Sequence, residues 1–280
     1  MKKLTQLFDI EWYKVKHHTL SKILIVAYFF LLSSIALIAS IKFDLGNTKI
    51  HLAEQGIFNF PYIWHFNTYI ADFFTFFLAI IIVSMITNEF SYRTIKQNLI
   101  DGLSKKEFVQ SKFVFGIFLS FLATLFVFLI TLVLGLIYSD YTSWGIVFSQ
   151  IYFLLAFFLK LTAIFSFVLF LGFLFKRSAF ALGFFFIWMV FEKIIYGLLR
   201  WKIFDDKIAG KITAFFPYTS LQNLLPQPFT RLSAAKQIGK QIGEKIDKFQ
   251  GLDISDFVIV AIWIYIFYFF SLYILKKRDL

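Results

Sequence analysis

The chain has no cysteine, which excludes disulfides and thiolate metal sites and leaves the redox compartment unread. Proline is nearly as scarce, and three of the four, Pro217, Pro226 and Pro228, fall in one stretch. Charged residues make up 16% of the chain, against about 25% in a soluble domain. No Gly-x-x-x-x-Gly-Lys-Ser/Thr phosphate loop occurs: Gly210-Lys211 and Gly239-Lys240 lack the spacing and the following hydroxyl. A His-Glu-x-x-His zinc pair and a Gly-x-Ser-x-Gly elbow are missing as well. The four histidines, His17, His18, His51 and His65, lie outside the predicted spans. No catalytic residue, metal site or cofactor is therefore expected on this chain, and any energy source is another polypeptide or an ion gradient.

What abounds is apolar surface: 59% of residues are hydrophobic, 22% are aromatic, and 42 are Phe. A soluble core cannot hide that much Phe, whereas lipid accepts it. A bilayer core of about 30 Å needs roughly 20 helical residues, and six runs are long enough: 23–41, 69–87, 113–139, 144–175, 178–199 and 257–275. In lipid only helices and closed barrels satisfy the backbone. Barrel strands alternate apolar and polar residues, and runs such as Phe76–Met85 do not. The fold class is all-α: a polytopic membrane protein with six transmembrane helices over 23–280, preceded by an interfacial helix over 1–22. That leader and the long run behind it read as an anchor rather than a cleaved secretory signal.

The net charge of +11 flanks the spans, which points to membrane orientation rather than to nucleic acid. With both termini on one side, that side gathers fifteen Lys and Arg, from Lys2 to Arg278, while the short loops opposite hold only Lys42 and Lys49. Both termini are therefore expected in the cytoplasm, with a long extracytoplasmic loop over 200–256. There the prolines break any helix running through them. Phe215-Phe216-Pro217-Tyr218 and Leu224-Leu225-Pro226 are apolar enough to re-enter the membrane edge. Ile238, Ile242 and Ile246 mark an amphipathic helix over 231–249.

Two amphipathic pieces are expected on the cytoplasmic face. In residues 4–18, Leu4, Phe8, Trp12 and Val15 share one face and Glu11 interrupts it. This reads as a surface anchor or as a gate helix using Phe8, Glu11 and Trp12. Between the second and third spans, Asn88 is placed to cap a short helix and Glu89 to sit near its positive end. Tyr92, Ile95 and Leu99 form one stripe, Gly102 is a stop, and Ser104 with Glu107 has capping-box spacing. A mere linker does not need its own start and stop; a docking element does.

This segment resembles the cytoplasmic connector of permease subunits of type-2 ATP-binding-cassette (ABC) transporters, with Glu89, Arg93, Thr94, Lys96, Gly102 and Ser104 at matching positions. Ile10-Glu11-Trp12-Tyr13-Lys14, the closing Lys276-Lys277-Arg278-Asp279-Leu280, and six helices with a long loop before the last are similar too. The resemblance implies a permease in the cell membrane that pairs with a second permease copy, identical or different. ABC ATPase subunits, carrying ATP and Mg, would dock beneath and power export. Glu89, Tyr92, Arg93, Thr94, Ile95, Lys96 and Leu99 would then couple hydrolysis to transport, with Arg93 and Lys96 pairing acidic groups of the ATPase. The same cations also fit a topology or lipid-headgroup role.

Charged residues inside spans are functional candidates by default. Asp72, Lys160, Glu192 and Lys193 form a possible intramembrane polar site, with Lys160 and Glu192 a possible cross-helix pair and Asp72 near water. A gradient-driven secondary carrier and a non-transporting scaffold are the competing functions. The repeats and midplane helix breaks common in carriers are not evident in the sequence.

Overall fold

In a computed structural model, which describes residues 2–40, 42–45, 48–51, 56–202, 204–231 and 251–278, the chain is a bundle of long helices. The helices are α1 (Lys2–His17), α2 (Thr19–Ser40), α3 (Tyr62–Phe73), α4 (Thr75–Ser91), α5 (Thr94–Ile100), α6 (Lys105–Tyr138), α7 (Trp144–Val147), α8 (Tyr152–Phe175), α9 (Ser178–Lys202), α10 (Asp206–Thr213), α11 (Pro217–Asn223) and α12 (Ile254–Lys277). A small antiparallel hairpin, β1 (Lys42–Leu45) and β2 (Thr48–His51), with Lys42 opposite His51, follows α2. The protein is an all-α polytopic membrane protein. Among the described residues, four stretches are long and apolar enough to cross a bilayer alone, and six qualify if each bent pair counts as one span. The pairs are α1 with α2, bent by 84°, and α3 with α4, bent by 48°.

Burial separates the helices by neighbour. The span Trp144–Phe175 has 78% of its apolar window buried inside the chain, against 11% for α9 and 22% for α12. A helix that is hydrophobic all round belongs in a core or in lipid; α8 is the core and the other two face outward. The Phe excess divides the same way: Phe153, Phe157, Phe165 and Phe173 are buried on α8, whereas Phe30, Phe121 and Phe180 point outward from α2, α6 and α9. Lipid-facing bulk is therefore only part of the reason for so much Phe.

α1 and the carboxyl end of α12 lie at one end of the bundle. Lys105 Nζ, at the start of α6, donates to the carbonyls of Lys276 and Arg278. Arg278 in turn donates to the Phe173 and Leu174 carbonyls that α8 leaves open at its end. At the other end, Pro217 opens α11 instead of only interrupting a helix; its missing N–H is one the first turn does not need. Leu221, Leu224 and Leu225 are buried there. Tyr62 Oη donates to the Pro228 carbonyl at 2.7 Å and His65 Nε2 to that of Pro226 at 2.7 Å. Arg231 joins His65 Nδ1 to Gln150 Oε1 at 3.1 and 3.0 Å. Apart from Arg231, the amphipathic stretch expected over 231–249 lies outside the described residues.

Close approach of α4 to α8 depends on Gly172, where an added Cβ would meet Ile86. Gly172→Val is expected to cost about 1–3 kcal/mol through overpacking, read as a lower melting temperature in detergent. An unchanged melting temperature would show that the two helices separate freely.

Candidate functional site

The connector after α4 is shaped by two left-handed residues. Tyr92 ends α4, Arg93 reverses the chain at φ 56°, α5 runs from Thr94 to Ile100, and Gly102 at φ 93° closes it. Ser104 then caps α6 in a full capping box: its Oγ accepts from Glu107 N at 3.2 Å, and Glu107 Oε2 accepts from Ser104 N at 3.0 Å. The expected start at Asn88 is wrong. Asn88 lies inside α4, because the apolar run continues as helix to Ser91, and the break comes at Arg93.

Seven residues are too few for a helix to stand alone in water. Glu89 holds this one. Its Oε2 accepts from Thr94 Oγ1 at 2.6 Å and Asn98 Nδ2 at 3.2 Å. Its Oε1 accepts from Lys14 Nζ at 2.6 Å and Lys112 Nζ at 2.7 Å. Lys112 also donates to Glu11 Oε2 at 2.6 Å, and Lys14 reaches Glu11 Oε1 at 3.3 Å. Two carboxylates and two ammonium groups thus close a neutral knot between α1, α4, α5 and α6. Glu11 and Glu89 are each 4% exposed and Lys112 is fully buried. Its ammonium also stands 5.0 Å from the Phe108 ring. Burial disfavours the charge on Lys14, but Glu11 and Glu89 outweigh it and raise its pKa above the ordinary lysine value.

Glu11 is therefore not a flaw in the amphipathic face of α1; it is the group that face delivers. Phe8 and Trp12 lie along the same helix against Phe118 of α6, at 4.7 and 5.9 Å between ring centroids. The expected stripe of Tyr92, Ile95 and Leu99 is divided. Ile95 is buried and Leu99 half-buried against the bundle, while Tyr92 is 76% and Ile100 78% exposed. Ile95 and Leu99 face inward because a short helix needs tertiary anchorage. The outward face consists of Tyr92, Arg93, Lys96, Gln97 and Ile100.

The intramembrane charges do not gather into one site. Lys160 pairs with Asp72 rather than Glu192, with Nζ 2.8 Å from Oδ2. This is a charge contact rather than a directed hydrogen bond, and Asp72 Oδ1 has no partner among the described residues. Asp72 does not simply reach water; it sits beside the bend at Phe74, in contact with α8. Glu192 serves α11 instead: Oε1 accepts from Trp188 Nε1 at 2.6 Å and Tyr218 N at 2.9 Å, and Oε2 from Thr219 N at 2.7 Å. A carboxylate at the amino end of a helix is held by its open N–H groups. Lys193 points outward. Among the described residues, no group of three or more His, Asp or Glu can hold a metal ion.

Lys14, Asn98 and Lys112 were missed from sequence. The signal was present: Lys112 shares a helical face with Phe108, Phe115 and Leu119, and Glu11 with Phe8 and Val15. Opposite charges on two apolar faces point to a pair.

Removing one member of such a pair leaves a buried charge uncompensated. Lys112→Met is expected to cost about 3–5 kcal/mol. Arg200→Gln, which breaks the exposed pair with Asp206, is expected to cost about 0–1 kcal/mol. Thermal unfolding of both variants in detergent checks the contrast, and equal melting temperatures would contradict it.

The family model described as ABC-2 family transporter protein matches residues 15–280. No curated protein matches the chain.

Proposed function

Because the chain belongs to the ABC-2 family of transporter proteins, and so is a membrane permease component rather than the ATPase, we propose that it is the permease subunit of an ATP-driven exporter. In this reading both termini and α5 face the cytoplasm, and two permease copies, identical or different, form the pathway. Separate ABC ATPase subunits, which carry ATP and Mg, dock against α5 and supply the power. The observation that carries the reading is the union of two properties in one element. The outer face of α5 is free, with Lys96 and Ile100 exposed. Its inner face is bonded through Glu89 to α1 and α6.

A force on such an element passes into the bundle. Tyr92 and Ile100 offer apolar contact to a groove, and Arg93 and Lys96 offer charge to acidic groups within it. Thr94, Ile95 and Leu99 act from behind as positioning residues, through Glu89 and the core. Phe8 and Trp12 couple α1 to α6 rather than forming an isolated gate. Positively charged loops at this end agree with a cytoplasmic position.

The double reversal Arg93→Glu with Lys96→Glu tests the reading. Membrane insertion is expected to stay intact while substrate export per ATP hydrolysed falls about tenfold, equivalent to roughly 1.4 kcal/mol of coupling. Export per ATP equal to that of the wild type would defeat the proposal. Transport by the purified chain alone, driven by an ion gradient, would favour the carrier reading instead.

A further inference from the structure

A second feature of the same end is not explained by an ATPase contact. Between α5 and the turn joining α8 to α9 lies a cleft of about 490 Å³, lined by Glu89, Phe90, Ser91, Arg93, Ile95, Lys96, Phe175, Lys176 and Arg177. Four of those side chains are cationic, and none has a carboxylate within 4.0 Å among the described residues. The one carboxylate on the wall, Glu89, is already engaged by Lys14, Lys112, Thr94 and Asn98. One of the four, Lys176, has an aromatic neighbour instead: its Nζ stands 5.9 Å from the Phe90 ring, which Arg278, outside the cleft lining, also approaches at 5.9 Å.

The backbone marks the same place. Among the described residues, Arg93 at φ 56° and Lys176 at φ 60° are the two residues other than glycine at positive φ, and both line this cleft. Glycine fits that conformation without strain. Strained backbone gathers at sites where it holds a group for use. Here it presents two ammonium or guanidinium groups to one space.

We infer that this cleft binds the phosphate head group of an anionic phospholipid. The proposal takes its leaflet, the cytoplasmic one, from the orientation given above. Only Lys176 and Arg177 separate α8 from α9, so the cations sit where two spanning helices leave the membrane, at head-group depth. Basic pockets between spanning helices on the cytoplasmic side suit anionic head groups. Phe90 and Phe175 give the cleft an apolar part beside its cations, and Leu174 and Phe180, on the two helices that meet at its turn, are exposed. Cations beside apolar side chains suit an amphiphile. Lys176 and Arg177 hold the phosphate, and the acyl chains leave along α9.

The test uses the full chain in a neutral detergent, with melting temperature followed while phosphatidylglycerol, phosphatidylcholine or inorganic phosphate is added. Phosphatidylglycerol is expected to raise the melting temperature and phosphatidylcholine and inorganic phosphate are not. In Lys176→Gln with Arg177→Gln, apparent affinity for phosphatidylglycerol is expected to fall roughly 30-fold, at about 1 kcal/mol for each basic side chain lost. Lys176→Gly suits the left-handed backbone and guards against a folding defect: it is expected to keep or raise the lipid-free melting temperature and still weaken the phosphatidylglycerol response. Equal responses to both lipids, or a full response to phosphate alone, would overturn the proposal. So would variants that retain the phosphatidylglycerol preference but lose a co-purifying ATPase, which assigns the cleft to an acidic protein segment. None of these results depends on Arg93→Glu with Lys96→Glu, so loss of the coupling proposal and loss of the lipid site are distinguishable.

Discussion

Four charged side chains, three of them buried, meet where α1, α4, α5 and α6 come together and set what this end of the molecule can do. Glu11, Lys14, Glu89 and Lys112 are mutually neutral only while the helices that carry them stay together. Separating any one leaves a charge in a low-dielectric interior, and that penalty exceeds what a surface pair is worth. The knot therefore acts as a geometric constraint more than as a source of net stability. It gives a seven-residue helix an orientation that its own hydrogen bonds cannot supply. Under the proposed function, the same bonds let a movement of α5 reach α1 and α6 together.

The remainder of the fold follows from where polar groups are permitted. α8 takes the centre and is enclosed by protein, while α9 and α12 present apolar side chains outward. Buried charges within this frame all have assigned work. Lys160 faces Asp72 beside the bend between α3 and α4. Glu192 holds the first N–H groups of α11, and Arg231 ties the following turn to His65 and Gln150. The molecule thus has a polar lock at each end and a charge pair between them, in a body whose other buried side chains are mostly apolar, with scattered Ser, Thr and Asn.

The helical type of the long elements was legible because uninterrupted apolar runs admit few structures in lipid; their number was less so, since the run over 69–87 is broken at Phe74 into α3 and α4. The capping box at Ser104 and Glu107 and the stop at Gly102 were legible because they are local. The start of α5 was not: the turn at Arg93 uses a left-handed arginine, which no sequence rule favours. Partners of buried charges were the least legible. Lys160 and Glu192 looked like a pair by depth, yet rotation about the helix axis and the bend at Phe74 decide which groups meet, and neither is written in spacing. A lysine near a membrane end usually reaches water; the fully buried position of Lys112 comes from the docking of α1 over it.

The absence of native cysteine makes the central claim open to direct distance measurement. Spin labels placed at Asp9→Cys and Gln97→Cys, both exposed positions, report the separation of α1 and α5 by pulsed dipolar spectroscopy. A single narrow distance distribution in the otherwise native chain, broadened in Glu89→Ala while helix content is unchanged, is the result expected if the charge knot fixes α5. The same narrow distribution with and without the Glu89 carboxylate would mean that the connector is held by other contacts, and the knot would lose its place in the account.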